Sequence, residues 1–312
     1  MRLVTYAEAG AARLGAVLGS EVVDLERASQ LAPPDNAPSL PSDCRAFLEM
    51  GATAWAIAAT AVAEALKIPA PEAHLCGLRR PPDPATLLPV VPNPSKIICV
   101  GRNYADHVTE IGASRPARPV TFIRFAQTLV GCAAPVWLPR VSNQLDWEGE
   151  LAVIIGRRAR YVPVEQAYAV VAGYSVFNDL SVRDFQLRTP QYTPGKNFDA
   201  TAPFGPALVS IDEVPDPHDL EIEVTVNDET VQHANTGEMI FSIAEIIADI
   251  SEWTTLQPGD VIATGTPAGV GGTRTPPRFL VAGDVVRVRI ETVGELNNVV
   301  VDEPAADWFE RG

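Results

Sequence analysis

From residue 96 onward the chain alternates between short apolar runs and breaks rich in Gly, Pro, Asn or Asp, a pattern typical of β-strands joined by turns. LEIEVTVN (220–227) and DVVRVRIE (284–291) alternate apolar and polar residues, so each predicts a strand with one solvent-facing side. Helical periodicity is clear in SIAEIIADISEWTTL (242–256), where Ser242 and Glu245 form a capping-box signature. We therefore predict a β-rich region, a sandwich or barrel-like roll.

Residues 1–80 have a different pattern. Three strand-like segments (MRLVTY, ARLGAVLG and EVVDL) precede two helix-like segments, the first with Ser42 or Asp43 as a candidate N-cap. Residues 81–94 then contain six prolines, which favour a stiff, extended connector. We predict a small N-terminal α+β domain at 1–80, a Pro-rich linker at 81–95 and a β-rich domain at 96–312.

The formal net charge of -15 argues against nucleic acids and anionic membrane surfaces as partners, because both require basic patches. The overall field would also repel an anionic substrate, so a site for one must supply positive charge locally. The four cysteines form no CxxC pair or Cys/His cluster, which indicates reduced thiols and no zinc site. With no signal peptide or membrane-spanning run, the sequence predicts a soluble, cytoplasmic protein.

Two acidic residues stand at the start of an apolar run in DWEGELAVII. Residues two apart in a strand share a face, so Glu148 and Glu150 point the same way, and the strand is apolar from Leu151 to Ile155. Two carboxylates beside a core repel each other and are costly to desolvate, so we expect a cation between them. All-oxygen ligands favour Mg²⁺, Mn²⁺ or Ca²⁺ over zinc. The alternative is an exposed strand end with two solvated acids.

Asp179 ends the apolar run YSVFND. Taken alone, an aspartate there is typical of a turn or a helix cap. Joined to Glu148 and Glu150, it makes a three-carboxylate site with positions left for water and substrate, as a Lewis-acid metal requires.

His107 and Glu110 are three residues apart in GRNYADHVTEIG and share a face if this segment is helical. A carboxylate beside an imidazole fixes its tautomer and raises its basicity, so the pair is a candidate general base. The alternative is an ordinary surface pair on a helix. Gly101 and Gly112 flank the segment like hinges, which suggests a lid.

A third group of residues is basic or polar. Arg183 and Gln186 follow Asp179 closely, and Lys196 lies in the loop TPGKNFDATAPFGP. Each alone is typical of a solvated surface, but near a metal they would supply the positive field that an anionic substrate needs. The hydroxyl of Thr264 or Thr266, in ATGTPAGVGG, is a candidate ligand for a carboxylate.

Five blocks in order, GRNYADHVTE, DWEGELAVIIG, NDLSVRDFQ, GKNFDATAPFGP and GDVIATGTPAGVG, resemble the fumarylacetoacetate hydrolase family over 96 to about 301. The closest likeness is to the subgroup typified by fumarylacetoacetate hydrolase domain-containing protein 2. The resemblance implies an α+β, β-rich fold, a mixed β-sandwich roll with a small N-terminal domain, and a homodimer. It implies Mg²⁺ or Mn²⁺ on the carboxylate triad and catalytic His107, Glu110 and Lys196. The predicted substrate-binding residues are Arg183, Gln186, Thr266, Arg102 and Tyr104.

Members of this family share chemistry on a small anionic 2-oxo acid whose enolate is stabilised by the metal. Our first hypothesis is hydrolysis of a C–C bond in a β-diketo acid of the acylpyruvate or fumarylacetoacetate type, with His107 activating water. The alternative is keto–enol tautomerisation or isomerisation of oxaloacetate or a similar diacid, or its decarboxylation, at the same metal. A third hypothesis is a metal-dependent ligand-binding protein without catalysis. Substrate selection is expected from residues 115–124, 187–194 and 273–279.

Overall fold

The computed structural model describes residues 1–31 and 38–305, and these contain eighteen β-strands and eight α-helices. The strands are β1 (Arg2–Glu8), β2 (Ala11–Leu18), β3 (Glu21–Asp24), β4 (Arg79–Arg80), β5 (Ile97–Gly101), β6 (Val120–Arg124), β7 (Leu129–Val130), β8 (Val136–Leu138), β9 (Leu145–Asp146), β10 (Gly149–Ile155), β11 (Val171–Asn178), β12 (Ser181–Val182), β13 (Ala202–Ser210), β14 (Glu221–Val226), β15 (Glu229–Asn235), β16 (Val261–Ala263), β17 (Val285–Ile290) and β18 (Gly294–Asp302). The helices are α1 (Leu25–Ser29), α2 (Cys44–Glu49), α3 (Ala52–Ala65), α4 (Ala70–Leu75), α5 (Ala105–Glu110), α6 (Arg183–Gln186), α7 (Thr193–Lys196) and α8 (Ile243–Trp253).

Two large sheets carry the architecture. The first follows the order β4-β3-β2-β1-β13-β11-β10-β16-β5-β6, with β7 paired to β13, and the second follows β15-β14-β17-β18-β8. Most neighbours are antiparallel, while β5 runs parallel to β16 and β8 parallel to β18. A β-rich α+β fold built from mixed sheets, the predicted fold class, is confirmed.

Strand β10 is buried at all seven positions because both of its faces are covered. Leu151 and Val153 join a core cluster with residues of the second sheet, such as Val224 and Val288. Ala152, on the opposite face, joins a second cluster that includes residues of the N-terminal segment. The predicted buried strand is therefore confirmed, and its even-numbered residues face away from the second sheet.

The N-terminal residues continue the first sheet. β1 pairs antiparallel with β13 through Arg2↔Val209 and Leu3↔Leu208. Of the two candidate N-caps of α2, Asp43 is the residue that caps the helix. In the predicted linker, Val90 and Val91 are buried in the same cluster as N-terminal and β-rich residues. The boundaries at 80 and 95 stay a prediction, and residues 306–312 of the predicted third region lie outside the described residues.

Helix α8 begins and is capped as its sequence predicts. The Ser242 side chain accepts the N–H of Glu245, and the Glu245 carboxylate accepts the N–H of Ser242. Its isoleucines 243, 246, 247 and 250 are buried, which docks the helix on the core. Among the described helices, none has the length and apolar character needed to cross a membrane.

Candidate metal centre

Four strand ends meet at one edge of the first sheet. β10 begins at Gly149, opposite Asn178, the last residue of β11. β16 runs antiparallel to β10, with Ala263 opposite Ala152, and β5 lies beside β16 in parallel. The start of β10 and the ends of β11, β16 and β5 are therefore neighbours. The candidate functional side chains lie at or next to these strand ends.

The three predicted metal ligands come together at this edge. Glu148, Glu150 and Asp179 each offer a carboxylate oxygen, and these oxygens all lie within 4.8 Å of one another. All three residues are buried, at 6%, 1% and 0% exposure, which the alternative of two solvated acids does not allow. The Asp179 N–H donates to the Glu148 carbonyl at 2.8 Å and ties the two segments together. A buried set of hard oxygen donors fits Mg²⁺ or Mn²⁺.

Glu148, which directly precedes β10, and Glu150, which lies within it, differ in electrostatic environment. Burial opposes ionisation of Glu148, but the positive charges of Lys196 and Arg183 outweigh it and lower its pKa to about 2. Burial raises the pKa of Glu150 well above its ordinary value, and the charges of Asp179 and Glu148 raise it further. Glu150 accepts the Gly265 N–H at 2.8 Å but lacks an ion-pair partner among the described residues. A divalent cation would relieve this repulsion.

Lys196 is a buried cation that contacts two members of the triad. It ends α7, is 1% exposed, and donates from Nζ to Glu148 Oε2 and Asp179 Oδ2, each at 2.7 Å, and to the Asp179 carbonyl at 3.0 Å. Burial alone would lower the pKa of Lys196, but the charges of Asp179 and Glu148 raise it above its ordinary value. The lysine is therefore a fixed positive charge and a poor base.

Arg183 and Gln186 lie together on α6 beside the triad. Arg183 Nη1 donates to Glu148 Oε1 at 2.6 Å and to Gln186 Oε1 at 2.9 Å. Arg183 Nε donates to Asp146 Oδ2 at 2.7 Å, and Asp146 also accepts the N–H groups of Gly271 and Gly272. Asp146 holds the arginine in place, a role that sequence reasoning missed although the residue opens the DWEGE motif.

His107 and Glu110 share one face of α5. His107 Nδ1 lies 3.2 Å from Glu110 Oε2, and Glu110 Oε1 accepts the Gly269 N–H at 3.0 Å. Burial opposes ionisation of Glu110, but hydrogen bonds including that of His107 lower its pKa. An ionised Glu110 accepts from Nδ1–H, which leaves His107 Nε2 as the basic nitrogen. Whether this segment moves as a lid stays a prediction.

Arg102 lines the cavity with an unusual backbone, at φ 59°. Its Nη2 donates to the Tyr192 hydroxyl at 2.7 Å, and its buried Nε has no hydrogen-bond partner among the described residues. Arg102 forms no ion pair with any described carboxylate, whereas Arg183 and Lys196 both do. It is therefore a cavity cation available to an anion.

The other predicted substrate contacts differ in placement. Thr266 lines the cavity, but its hydroxyl donates to the Gly149 carbonyl at 3.0 Å and accepts from Gln232 Nε2 at 2.9 Å. Thr264 is fully buried and donates to the Leu151 carbonyl. Tyr104 is 1% exposed and is not among the cavity-lining residues, so the structure does not bring it to the substrate space.

A cavity of about 640 Å³ is lined by Glu148 and Glu150 of the triad, while Asp179 lies behind them and is not among the lining residues. The cavity lining contains most of the predicted functional residues and residues from all three segments expected to select the substrate. The predicted residues that line it are His107, Glu110, Glu148, Glu150, Arg183, Gln186, Lys196, Thr266 and Arg102. The lining residues from the expected selectivity segments are Phe122, Leu187, Tyr192, Thr273, Pro277 and Phe279.

Known proteins match both the sequence and the fold. The family model for the fumarylacetoacetate (FAA) hydrolase C-terminal region matches residues 96–301. Oxaloacetate tautomerase fahd2, mitochondrial, of Xenopus laevis is 40% identical over 307 residues, covering 96% of this chain and 90% of that protein. Fumarylacetoacetate hydrolase domain-containing protein 2 of Pongo abelii is 42% identical over 85% of this chain and 81% of its own length. Oxaloacetate tautomerase YisK of Bacillus subtilis (strain 168) is 44% identical over 67% of this chain and 71% of its own length.

Solved structures share the fold across the chain. A putative HpcE protein from Mycobacterium smegmatis superposes with a TM-score of 0.80 at 36% identity, covering 97% of this chain and 100% of that one. Maleylpyruvate hydrolase from Sphingobium sp. SYK-6, solved with manganese(II) and pyruvate, gives a TM-score of 0.73 at 34% identity with the same coverage. This chain therefore belongs to the fumarylacetoacetate hydrolase family of enzymes, in the subgroup of fumarylacetoacetate hydrolase domain-containing protein 2.

Proposed function

We propose that this protein is a metal-dependent oxaloacetate keto–enol tautomerase. The observation that carries the proposal is that relatives named oxaloacetate tautomerase, from Xenopus laevis and Bacillus subtilis, are 40% and 44% identical over most of this chain. These names favour the alternative hypothesis of the sequence analysis over C–C hydrolysis. The cavity chemistry supports the same choice, as its charges and proton-transfer groups suit a small diacid.

The resident ion in this proposal is Mg²⁺ or Mn²⁺ held by Glu148, Glu150 and Asp179. Such an ion, when bound, acts as a Lewis acid that stabilises negative charge on a 2-oxo acid. The manganese in the related maleylpyruvate hydrolase structure supports this assignment. Removal of the ion with a chelator is expected to abolish activity, and Mg²⁺ or Mn²⁺ is expected to restore it.

The positive side chains of the cavity explain how a protein of net charge -15 would attract a diacid. Arg102, with no carboxylate partner among the described residues, is placed to bind one substrate carboxylate. Arg183 also lines the cavity, and its Nη2 is buried without a hydrogen-bond partner in the described part of the chain. Two such donors suit a substrate that carries two carboxylates.

Tautomerisation moves one proton between C3 and the oxygen on C2. His107 Nε2, left basic because Nδ1–H is held by Glu110, takes the C3 proton of the keto form. The electron pair of that C–H bond forms the C2–C3 double bond, and the carbonyl pair moves onto the C2 oxygen. Lys196, a fixed cation, stabilises the charge at that oxygen. The imidazolium then returns the proton to the oxygen, which gives the enol and restores the base.

Hydrolysis of an acylpyruvate is the second candidate, and the shape of the cavity favours it. The volume of about 640 Å³ exceeds what a four-carbon diacid fills, and the lining includes the apolar side chains of Val270, Pro277 and Phe279. A cavity of this kind would accept a longer acyl chain. In this reaction His107 would take a proton from water, and the hydroxide would attack the distal carbonyl and break the C–C bond toward a pyruvate-type enolate.

One experiment separates the two reactions. Decay of the enol-oxaloacetate absorbance is followed with enzyme and Mg²⁺ or Mn²⁺, and the products are then assayed for pyruvate; acylpyruvates are tested in parallel. Metal without enzyme corrects for catalysis by the ion itself. Fast decay without cleavage products supports the tautomerase, whereas cleavage of acylpyruvates without enol decay would refute it. Ligand-induced thermal stabilisation with no turnover of any substrate would favour a binding protein.

Two matched variants test the site in the same assay. Glu148→Gln removes the charge of a triad ligand, and Glu252→Gln makes the same change on a side chain that is 61% exposed. We expect the first to abolish metal-dependent activity and the second to leave it unchanged.

We also propose that the protein is a homodimer, for which light scattering should give twice the mass of the chain.

A further inference from the structure

We propose that Arg124 is a positioning residue that fixes the carboxylate of Asp179 in its metal-binding orientation. The proposal rests on the metal site proposed above, and the sequence pattern placed Arg124 only within the segment 115–124 expected to select the substrate. Arg124 ends β6 within the segment TFIRF, and it belongs neither to the carboxylate triad nor to the cavity lining. Its side chain nevertheless reaches the metal site from behind.

Both terminal nitrogens of Arg124 are hydrogen-bonded, while its buried Nε has no partner among the described residues. Nη1 donates to Asp179 Oδ1 in a close ion pair and to the Leu180 carbonyl at 3.1 Å. Nη2 donates to the Thr201 carbonyl at 2.9 Å and to Thr201 Oγ1 at 2.8 Å. Both side chains of the ion pair have 0% exposure. Because Thr201 supplies two acceptors from a distant part of the chain, the guanidinium is held independently of Asp179 and can act as a fixed support for it.

The two oxygens of Asp179 are held by different cations. Arg124 holds Oδ1, and Lys196 holds Oδ2 at 2.7 Å. Lys196 ends in a single ammonium group, while the Arg124 guanidinium is planar and is anchored at three further acceptors. Arg124 therefore sets the plane of the carboxylate, and this plane determines which lone pairs face Glu148 and Glu150.

Each member of the triad has its own support. Glu148 Oε1 accepts from Arg183, which Asp146 holds in turn, and Glu150 accepts the N–H of Gly265. Arg124 completes this set for Asp179. Groups that orient metal ligands in this way commonly change metal affinity 10–100-fold, as an order-of-magnitude expectation, when they are removed.

Strand β6 contributes a second residue to the same task. Phe122 and Arg124 are two apart in the strand and share a face. The Phe122 ring lies 5.2 Å from Lys196 Nζ, while Arg124 holds Asp179. One edge strand therefore supports both partners of the Lys196–Asp179 ion pair, and it does so with side chains that carry no reacting atom.

The test uses Arg124→Lys, which keeps the positive charge and loses the fork. Mn²⁺ affinity is measured by isothermal titration calorimetry without substrate, at a temperature where the protein is folded. The matched control is Arg118→Lys, at an arginine that is 73% exposed and pairs only with Asp249 and Glu252 among the described residues. We expect Kd to rise by about 10-fold or more in Arg124→Lys and to stay unchanged in the control. An unchanged Kd in Arg124→Lys overturns the proposal.

A second pair of variants keeps the test decisive if Arg124→Lys does not fold. Thr201→Val removes the Oγ1 acceptor of Arg124 and keeps the ion pair, while Thr201→Ser retains the hydroxyl. We expect a weakening of Mn²⁺ binding of roughly threefold or more in the valine variant, since an ordinary hydrogen bond contributes about this much. The serine variant should bind like the wild type. Equal affinities of the two variants overturn the proposal. Since no substrate is present, the result does not depend on which reaction the enzyme catalyses.

Discussion

Substitution of Gly149 by alanine tests whether the second sheet sets the position of the metal ligands. Gly149 lies between Glu148 and Glu150 in β10, and its missing side chain faces β14 and β17. A Cβ atom there would lie 2.4 Å from Val224 Cγ2 and 2.9 Å from Val288 Cγ1. Both valines are buried and β-branched, so neither can turn aside at low cost. The strand itself must move.

The distances set the size of the effect. Carbon atoms pack at about 3.5–4.0 Å, so the closer contact must open by about 1 Å. Overpacking of this kind costs about 1–3 kcal/mol, which for a protein of this size lowers the melting temperature by roughly 2–5 °C. A shift of about 1 Å at the adjacent ligands is expected to reduce activity roughly 100-fold. Gly149→Ala should therefore damage catalysis more than its loss of stability explains.

The assay combines thermal unfolding, Mn²⁺ titration and enol-oxaloacetate turnover. Gly101→Ala is the matched control for unfolding and Mn²⁺ titration, because a Cβ on that strand glycine meets its nearest atoms at 3.6 Å, an ordinary contact; its turnover is not compared, since Gly101 lines the cavity. Val224→Ala removes Val224 Cγ2, the atom nearest to the new Cβ. The double variant Gly149→Ala/Val224→Ala should therefore recover part of the stability, metal affinity and activity lost in Gly149→Ala. We expect a coupling energy of about 1 kcal/mol or more in favour of the double variant. Wild-type metal affinity in Gly149→Ala, or no recovery on adding Val224→Ala, would refute the reasoning.

Three further predictions concern single side chains. Burial and the neighbouring carboxylates raise the pKa of Glu150 in the folded, metal-free protein. The free energy of unfolding is therefore highest below the ordinary carboxyl pKa and falls as pH rises from there toward the raised pKa. Glu150→Gln should therefore raise the metal-free melting temperature at neutral pH, increasingly so at higher pH, and abolish stabilisation by Mn²⁺; a lower melting temperature would contradict this. Arg102→Gln should raise KM for oxaloacetate about 10-fold with a smaller change in kcat, since a charge-assisted contact is lost, and an unchanged KM would exclude it as a carboxylate ligand. Gln232→Leu leaves the Gly149 N–H without its acceptor and Thr266 without its donor, so denaturant unfolding should report a loss of about 1–3 kcal/mol; wild-type stability would contradict it.

Local pattern was sufficient for the elements and for part of the site. The period of two placed Glu148 and Glu150 on one face, and the apolar run after them indicated a buried strand. The capping box at Ser242 and Glu245 marked the start of α8. These features depend on residues a few positions apart, and the ordered family blocks added the identity of the remaining ligands. The sequence therefore determined the fold class and the family.

Only the tertiary structure shows which residues support the candidate metal ligands and where two predicted substrate contacts, Thr266 and Tyr104, lie. Arg124 meets Asp179 across 55 positions of the chain, and Gln232 meets Thr266 across 34, because sheet order and register bring these strands together. The Thr266 hydroxyl is already committed to protein partners, and Tyr104 lies outside the cavity lining. The order of strands in a sheet depends on how its two buried faces pack. The alternation of apolar and polar residues within one strand does not specify which strands lie beside it. For that reason the sequence identified the carboxylates that could hold a metal, while only the fold revealed which residues hold those carboxylates in place.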